Sequence, residues 1–130
     1  MIEINFNYIH QLHHFLLSRT DDELDFFFIN EKASRNHIYQ EMRNEFQKFG
    51  PVSKKKTLDA LEYIWATKNI SKYWRYILPQ EIPLDEVENK QQFLHDLFVT
   101  LAGREPDSAF DICNSKIVDA VGPYGLNIKD

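Results

Sequence analysis

Sparse glycine and proline punctuation constrains this chain more than any other feature. Gly50-Pro51, Pro79 to Pro83, Gly103 with Pro106, and Gly122-Pro123 cut it into four blocks of helical length. Within the blocks, apolar residues recur at spacings of three and four, the mark of one buried helical face. No repeat, low-complexity tract or interdomain linker interrupts the pattern. The expected architecture is an all-α, single-domain bundle of about six helices over residues 1–130, joined by short connections.

Phe6, Ile9, His13, Leu16 and Leu17 form the first stripe, which stops near Ser18-Arg19. Thr20-Asp21-Asp22-Glu23 then has the form of a capping box, with Thr20 bonding the N3 amide and Glu23 reaching back. Leu24 to Ile29 fits a short buried helix or a strand, and helix is preferred because no second strand offers a partner. Ile38, Met42, Phe46 and Phe49 continue at helical spacing until Gly50-Pro51. Ser53 is the expected cap of a helix carrying Leu58, Leu61, Ile64 and Trp65. Ser71 caps one with Trp74, Ile77 and Leu78, and Asp85 caps one with Val87, Leu94, Leu97, Phe98 and Leu101. Gly103 supplies the left-handed stop. Asp107 or Ser108 opens a last helix that turns Ala109, Ile112, Cys113, Ile117 and Ala120 inward, and the tail from Tyr124 is extended or loosely packed.

A hydrophobic share of 43% with 10 Phe exceeds what a disordered chain carries, so a core needs no metal or disulfide support. The single cysteine, Cys113, reads as a small buried apolar residue in a reducing compartment. Met1-Ile2-Glu3-Ile4-Asn5 has no basic n-region, and the densest apolar run, Phe26 to Ile29, is too short to span a bilayer. A cytoplasmic protein with no membrane association is expected.

No catalytic signature is present. The four glycines are scattered singly, which excludes a phosphate-binding or dinucleotide loop, and no G-x-S-x-G occurs. His10, His13 and His14 share one helix, but Gln11 and Leu12 follow His10 where a zinc helix wants glutamate. No local Cys or carboxylate completes a shell, so neither metal nor cofactor is expected. Cys113 with His95 or His37 is the sole thiol option, and a helical Cys113 has no turn to expose it. The chain is not expected to be an enzyme.

Charge is divided unevenly. Residues 1–50 carry five Lys/Arg against eight Asp/Glu, residues 51–79 six against two, and residues 80–130 four against ten, for a net of −5. The central Lys54-Lys55-Lys56, Lys68, Lys72 and Arg75 interleave with Tyr63, Trp65, Tyr73, Trp74 and Tyr76 and resemble a nucleic-acid stripe. Three consecutive lysines point around a helix, however, and the acidic balance opposes phosphate binding. Direct nucleic-acid contact is therefore the alternative: a small helical regulator acting through 54–75. The acids crowd two predicted helix starts, Asp21, Asp22, Glu23 and Asp25 in one and Glu81, Asp85, Glu86 and Glu88 in the other. Each set suits capping, yet together they form patches able to steer a basic partner.

A small, acidic, cytosolic helical domain without a catalytic motif resembles the immunity proteins of bacterial toxin systems. The contact-dependent growth inhibition type is the most similar in size and in its abundance of Asn, Lys, Ile, Tyr and Phe. The resemblance covers the whole chain and rests on overall type. It implies an inhibitor that binds a cognate toxin domain, often a nuclease, by occlusion. A nuclease cleft is basic because it attracts phosphate, and an acidic inhibitor complements it. The eight carboxylates at 21–25 and 81–88 are the expected contact residues.

Overall fold

A computed structural model describes residues 2–17, 30–78 and 87–118, with backbone alone at 11 and 14–17. Among these residues are five α-helices: α1 (Asn7–Leu17), α2 (Lys32–Gln47), α3 (Pro51–Thr67), α4 (Ile70–Ile77) and α5 (Lys90–Ala102). Two short strands, β1 (Ile2–Ile4) and β2 (Ser115–Ile117), pair in parallel, with Ile2 opposite Ser115 and Ile4 opposite Ile117. The chain is thus mostly helical, as expected. The all-α expectation holds apart from this small sheet, and the count among described residues is five helices where about six were expected.

The apolar stripes do what their spacing predicts. Phe6, Ile9 and Leu12 of the α1 region, Ile38, Met42 and Phe46 of α2, and Leu61 and Ile64 of α3 are buried together. Tyr73 and Ile77 of α4 join them, as do Phe93, Leu94, Leu97 and Phe98 of α5, in one cluster that also takes Ile4 from β1. Burying each such side chain contributes about 1.5–3 kcal/mol. Tyr39, also buried, donates its hydroxyl to the Phe93 carbonyl at 3.3 Å and ties α2 to α5. Trp65 and Trp74 pack half-buried at the edge of this core.

Helix starts differ from expectation for identifiable reasons. Pro51 occupies the first turn of α3 with Gly50 as its cap, so the helix begins ahead of Ser53. Proline's fixed φ suits that position, and its missing N–H would be unpaired there anyway. Ser53 lies buried inside the helix, its carbonyl accepting the Thr57 hydroxyl at 2.8 Å. Asn69 replaces Ser71 before α4, and Asn89 caps α5 by accepting the Gln92 amide at 3.1 Å. Val87, expected inside that helix, is a buried residue ahead of it. Gly103 ends α5 at φ 73°, the left-handed stop its position suggested.

The expected last helix does not form among the described residues. A 3-10 turn (Ile112–Asn114) and β2 stand in its place. Short polar side chains capture the backbone there: Asp107 accepts the Ala109 amide at 2.8 Å, Asp111 the Asn114 amide at 3.1 Å, and Ser115 donates to the Asp111 carbonyl at 2.7 Å. Such local bonds compete with a helix ladder. Ile112, Cys113 and Ile117 are consequently exposed, which overturns the buried-cysteine expectation. The segments 18–29, 79–86 and 119–130, with the expected capping box, the Phe26–Ile29 stretch, the Asp85 cap, Ala120 and Gly122-Pro123, lie outside the described residues.

Candidate functional site

Of the eight expected contact carboxylates, Glu88 alone is described, while Asp21, Asp22, Glu23, Asp25, Glu81, Asp85 and Glu86 lie outside the described residues. Glu88 is exposed just before α5. Its backbone is pinned: the amide donates to Asn30 Oδ1 at 2.7 Å, and the carbonyl accepts from Arg35 Nη2. Arg35 Nη2 also donates to Asn30 Oδ1 at 3.0 Å, and its guanidinium lies 5.6 Å from the Phe93 ring centre. Asn30 stands five positions after Asp25, beyond the apolar run Phe26 to Ile29, and Glu88 closes the other acid-rich stretch. The fold therefore joins two residues 58 positions apart in sequence.

Most cations of the basic centre have partners within the chain. Lys55 pairs with Asp59 at 2.8 Å, and Lys56 reaches Glu3 of β1 at 3.8 Å. Lys54 lies over Phe46, Lys72 over Tyr73, and Arg75 over Tyr76, whose hydroxyl also accepts from Arg75 at 2.9 Å. Lys68 is an exposed left-handed cap of α3 at φ 58°. All of these cations but Lys68 thus lie against the chain's own rings or carboxylates.

The N-terminal histidines divide by face. His13 is buried, with Nε2 3.1 Å from the Tyr76 carbonyl, so it links α1 to α4. His10 stands edge-on to it, ring centres 5.0 Å apart. Among the described residues no group of three His, Cys, Asp or Glu could hold a metal ion.

A different arrangement lies where α3 meets the start of α5. Trp65, Asn89, Gln91, Gln92 and His95 line an open groove of about 220 Å³. His95 contacts Asp96 Oδ1 through Nδ1 at 3.0 Å, and Glu105 Oε2 through Nε2. The Asp96 hydrogen bond, then the Glu105 one, raises the imidazole above its ordinary pKa, since both nitrogens donate only in the cationic form. Both ring nitrogens thus face carboxylate oxygens, and His37 Nε2 lies 3.2 Å from Glu41.

The loop after α5 is fixed from below. Glu62 of α3, only 5% exposed, accepts from Arg104 at 2.7 Å and 3.3 Å and from the Asp107 amide at 2.9 Å. Arg104 also stacks over Phe98 at 5.0 Å. Trp65 Nε1 donates to Ser108 Oγ at 3.1 Å, so the indole that walls the groove is held in place by the same loop. Sequence reasoning missed this cluster. His95-Asp96 stood adjacent, and Gly103 signalled a reversal that returns Glu105 toward His95, but Trp65 arrives from another helix altogether.

No family model matches the chain, and neither a curated protein nor a solved structure matches it.

Proposed function

We propose that this chain is a binding protein of the immunity type, an inhibitor that occludes the basic surface of a cognate toxin domain, a nuclease in the first instance. The observation that carries the reading is Glu88, the one described acid of the eight, held exposed at the surface with its backbone pinned by Asn30 and Arg35. Acidic patches steer a basic partner, with association up to ~10⁸–10⁹ M⁻¹s⁻¹ at low salt. The engagement of both His95 nitrogens by carboxylates also favours binding over turnover. The regulator acting on nucleic acid loses support because the basic centre spends most of its cations internally.

The test is co-expression with a toxin domain, sought first among the products of neighbouring reading frames. Growth should be rescued and a complex should co-purify. Reversing Asp21, Asp22 and Glu23, or Asp85, Glu86 and Glu88, to Lys should slow association and flatten its salt dependence. Absence of rescue and of a complex refutes the reading, and rescue unchanged by both reversals removes its electrostatic part.

A further inference from the structure

We propose that His95 is a proton-operated tether: charged, it ties α5 to the following loop through Glu105, and neutral, it keeps Asp96 and lets Glu105 go. Its Nε2 then becomes an acceptor in the groove that the ring lines. The device is independent of the immunity reading. A neutral imidazole has one N–H and one lone pair, whereas the cation donates from both nitrogens. His95 meets a carboxylate oxygen on each side, Asp96 Oδ1 at Nδ1 and Glu105 Oε2 at Nε2. Asp96 belongs to α5, and Glu105 stands two positions beyond Gly103, which ends that helix. The two bonds therefore bridge helix and loop only while the ring is charged. Loss of the proton sets a lone pair against an anionic oxygen on one side, and that contact breaks.

Glu105 is the side that yields. Asp96 Oδ1 also accepts Gln92 Nε2 at 2.7 Å, so a second donor holds it, whereas His95 alone bonds the Glu105 carboxylate among the described residues. The Glu105 side chain is 75% exposed against 40% for Asp96, so its carboxylate returns to water at the lower cost. The loop backbone stays in place, because Glu62 grips Arg104 and the Asp107 amide on either side of Glu105. The neighbouring elements leave these two carboxylates in control of the ring. From α3 come Trp65, its ring centre 5.8 Å from the imidazole, and Glu62, whose charge Arg104 meets. Tyr39 and Arg35 of α2 lie against Phe93, as does Trp74 of α4, with Lys90 over that indole. Hydrogen bonds to Asp96 and then Glu105 raise the imidazole, so the changeover lies above 6.5.

The test is an imidazole nitrogen NMR titration of the full chain from about pH 6 to about pH 9. The His95 midpoint should lie above 6.5, and above it Nδ1 should keep its proton while Nε2 loses one. The Glu105 carboxylate carbon should shift at the same midpoint, with the Arg104 and Asp107 amides unmoved. Glu105→Gln, at an exposed side chain that leaves the Glu62–Arg104 pair intact, should lower the midpoint toward 6.5 and keep the Nδ1–H form. Asp96→Asn should lower it as well but reverse the tautomer, so that the neutral ring holds Glu105 through Nε2–H. A wild-type neutral ring protonated on Nε2, a midpoint at or below 6.5, or a Glu105 signal that does not follow His95 overturns the assignment.

Discussion

Asn30 Oδ1 accepts the backbone amide of Glu88 at 2.7 Å, a contact across 58 positions of chain, and the same oxygen accepts from Arg35. One short side chain thus fixes the spacing between the start of α2 and the approach to α5. Replacing it by Ala removes both bonds at an exposed site, where water can partly substitute. Asn30→Ala should cost about 1 kcal/mol in chemical denaturation. It should also slow association with a basic partner more than an unrelated variant of equal stability. An unchanged denaturation midpoint would show that the clasp is not energetically engaged.

Glu62 is the buried anchor of the loop after α5. Arg104→Ala leaves that carboxylate with the Asp107 amide as its remaining partner. Breaking a buried pair can cost about 3–5 kcal/mol. Arg104 is 54% exposed, so solvent screens part of the loss and about 1–3 kcal/mol is expected. Urea denaturation measures it, and Glu62→Gln should recover part of the stability lost in Arg104→Ala by removing the stranded charge.

His95 supplies a pH dependence with a definite sign. Its folded pKa is raised above 6.5 by Asp96 and Glu105. The resulting stabilisation is therefore fully present below the unfolded value, near 6.5, and is lost as pH rises through the folded value. Stability measured from about pH 6 to about pH 9 should contain a falling component that His95→Gln removes. A histidine titrating at or below its ordinary value by NMR contradicts the two-carboxylate geometry.

Gly103 adopts φ 73°, and a Cβ built on it meets nothing within 4 Å. Backbone conformation alone thus demands glycine here. Gly103→Ala should destabilise by about 1–2 kcal/mol, and Gly103→Asn by less, because Asn tolerates the left-handed region. Equal losses for both would point to a steric cause that the local space does not contain.

The legible part of this fold was periodic. Leu94, Leu97 and Phe98, or Ile38, Met42 and Phe46, declare their buried face by spacing alone, and Gly103 declares its turn. Helix starts were harder, because Ser53 and Pro51 are both acceptable and only the whole chain decides which is used. The sheet was illegible for a stronger reason. Ser115–Ile117 is three residues long and pairs with Ile2–Ile4, so neither segment carries enough pattern to announce a partner at the far end. The site followed the same rule: His95 and Asp96 were visible as neighbours, whereas Trp65 joins them only through the packing of α3 on α5.

That parallel pairing bears on the order in which contacts can form. Ile2 is synthesised first of the described residues, yet its hydrogen-bonding edge waits for Ser115, more than a hundred residues downstream. Local helices form early and long-range strand pairs late, because closing so large a loop costs entropy before any contact repays it. The leading strand therefore has no ladder partner until Ser115–Ile117 has been made, and their pairing falls among the late contacts of folding.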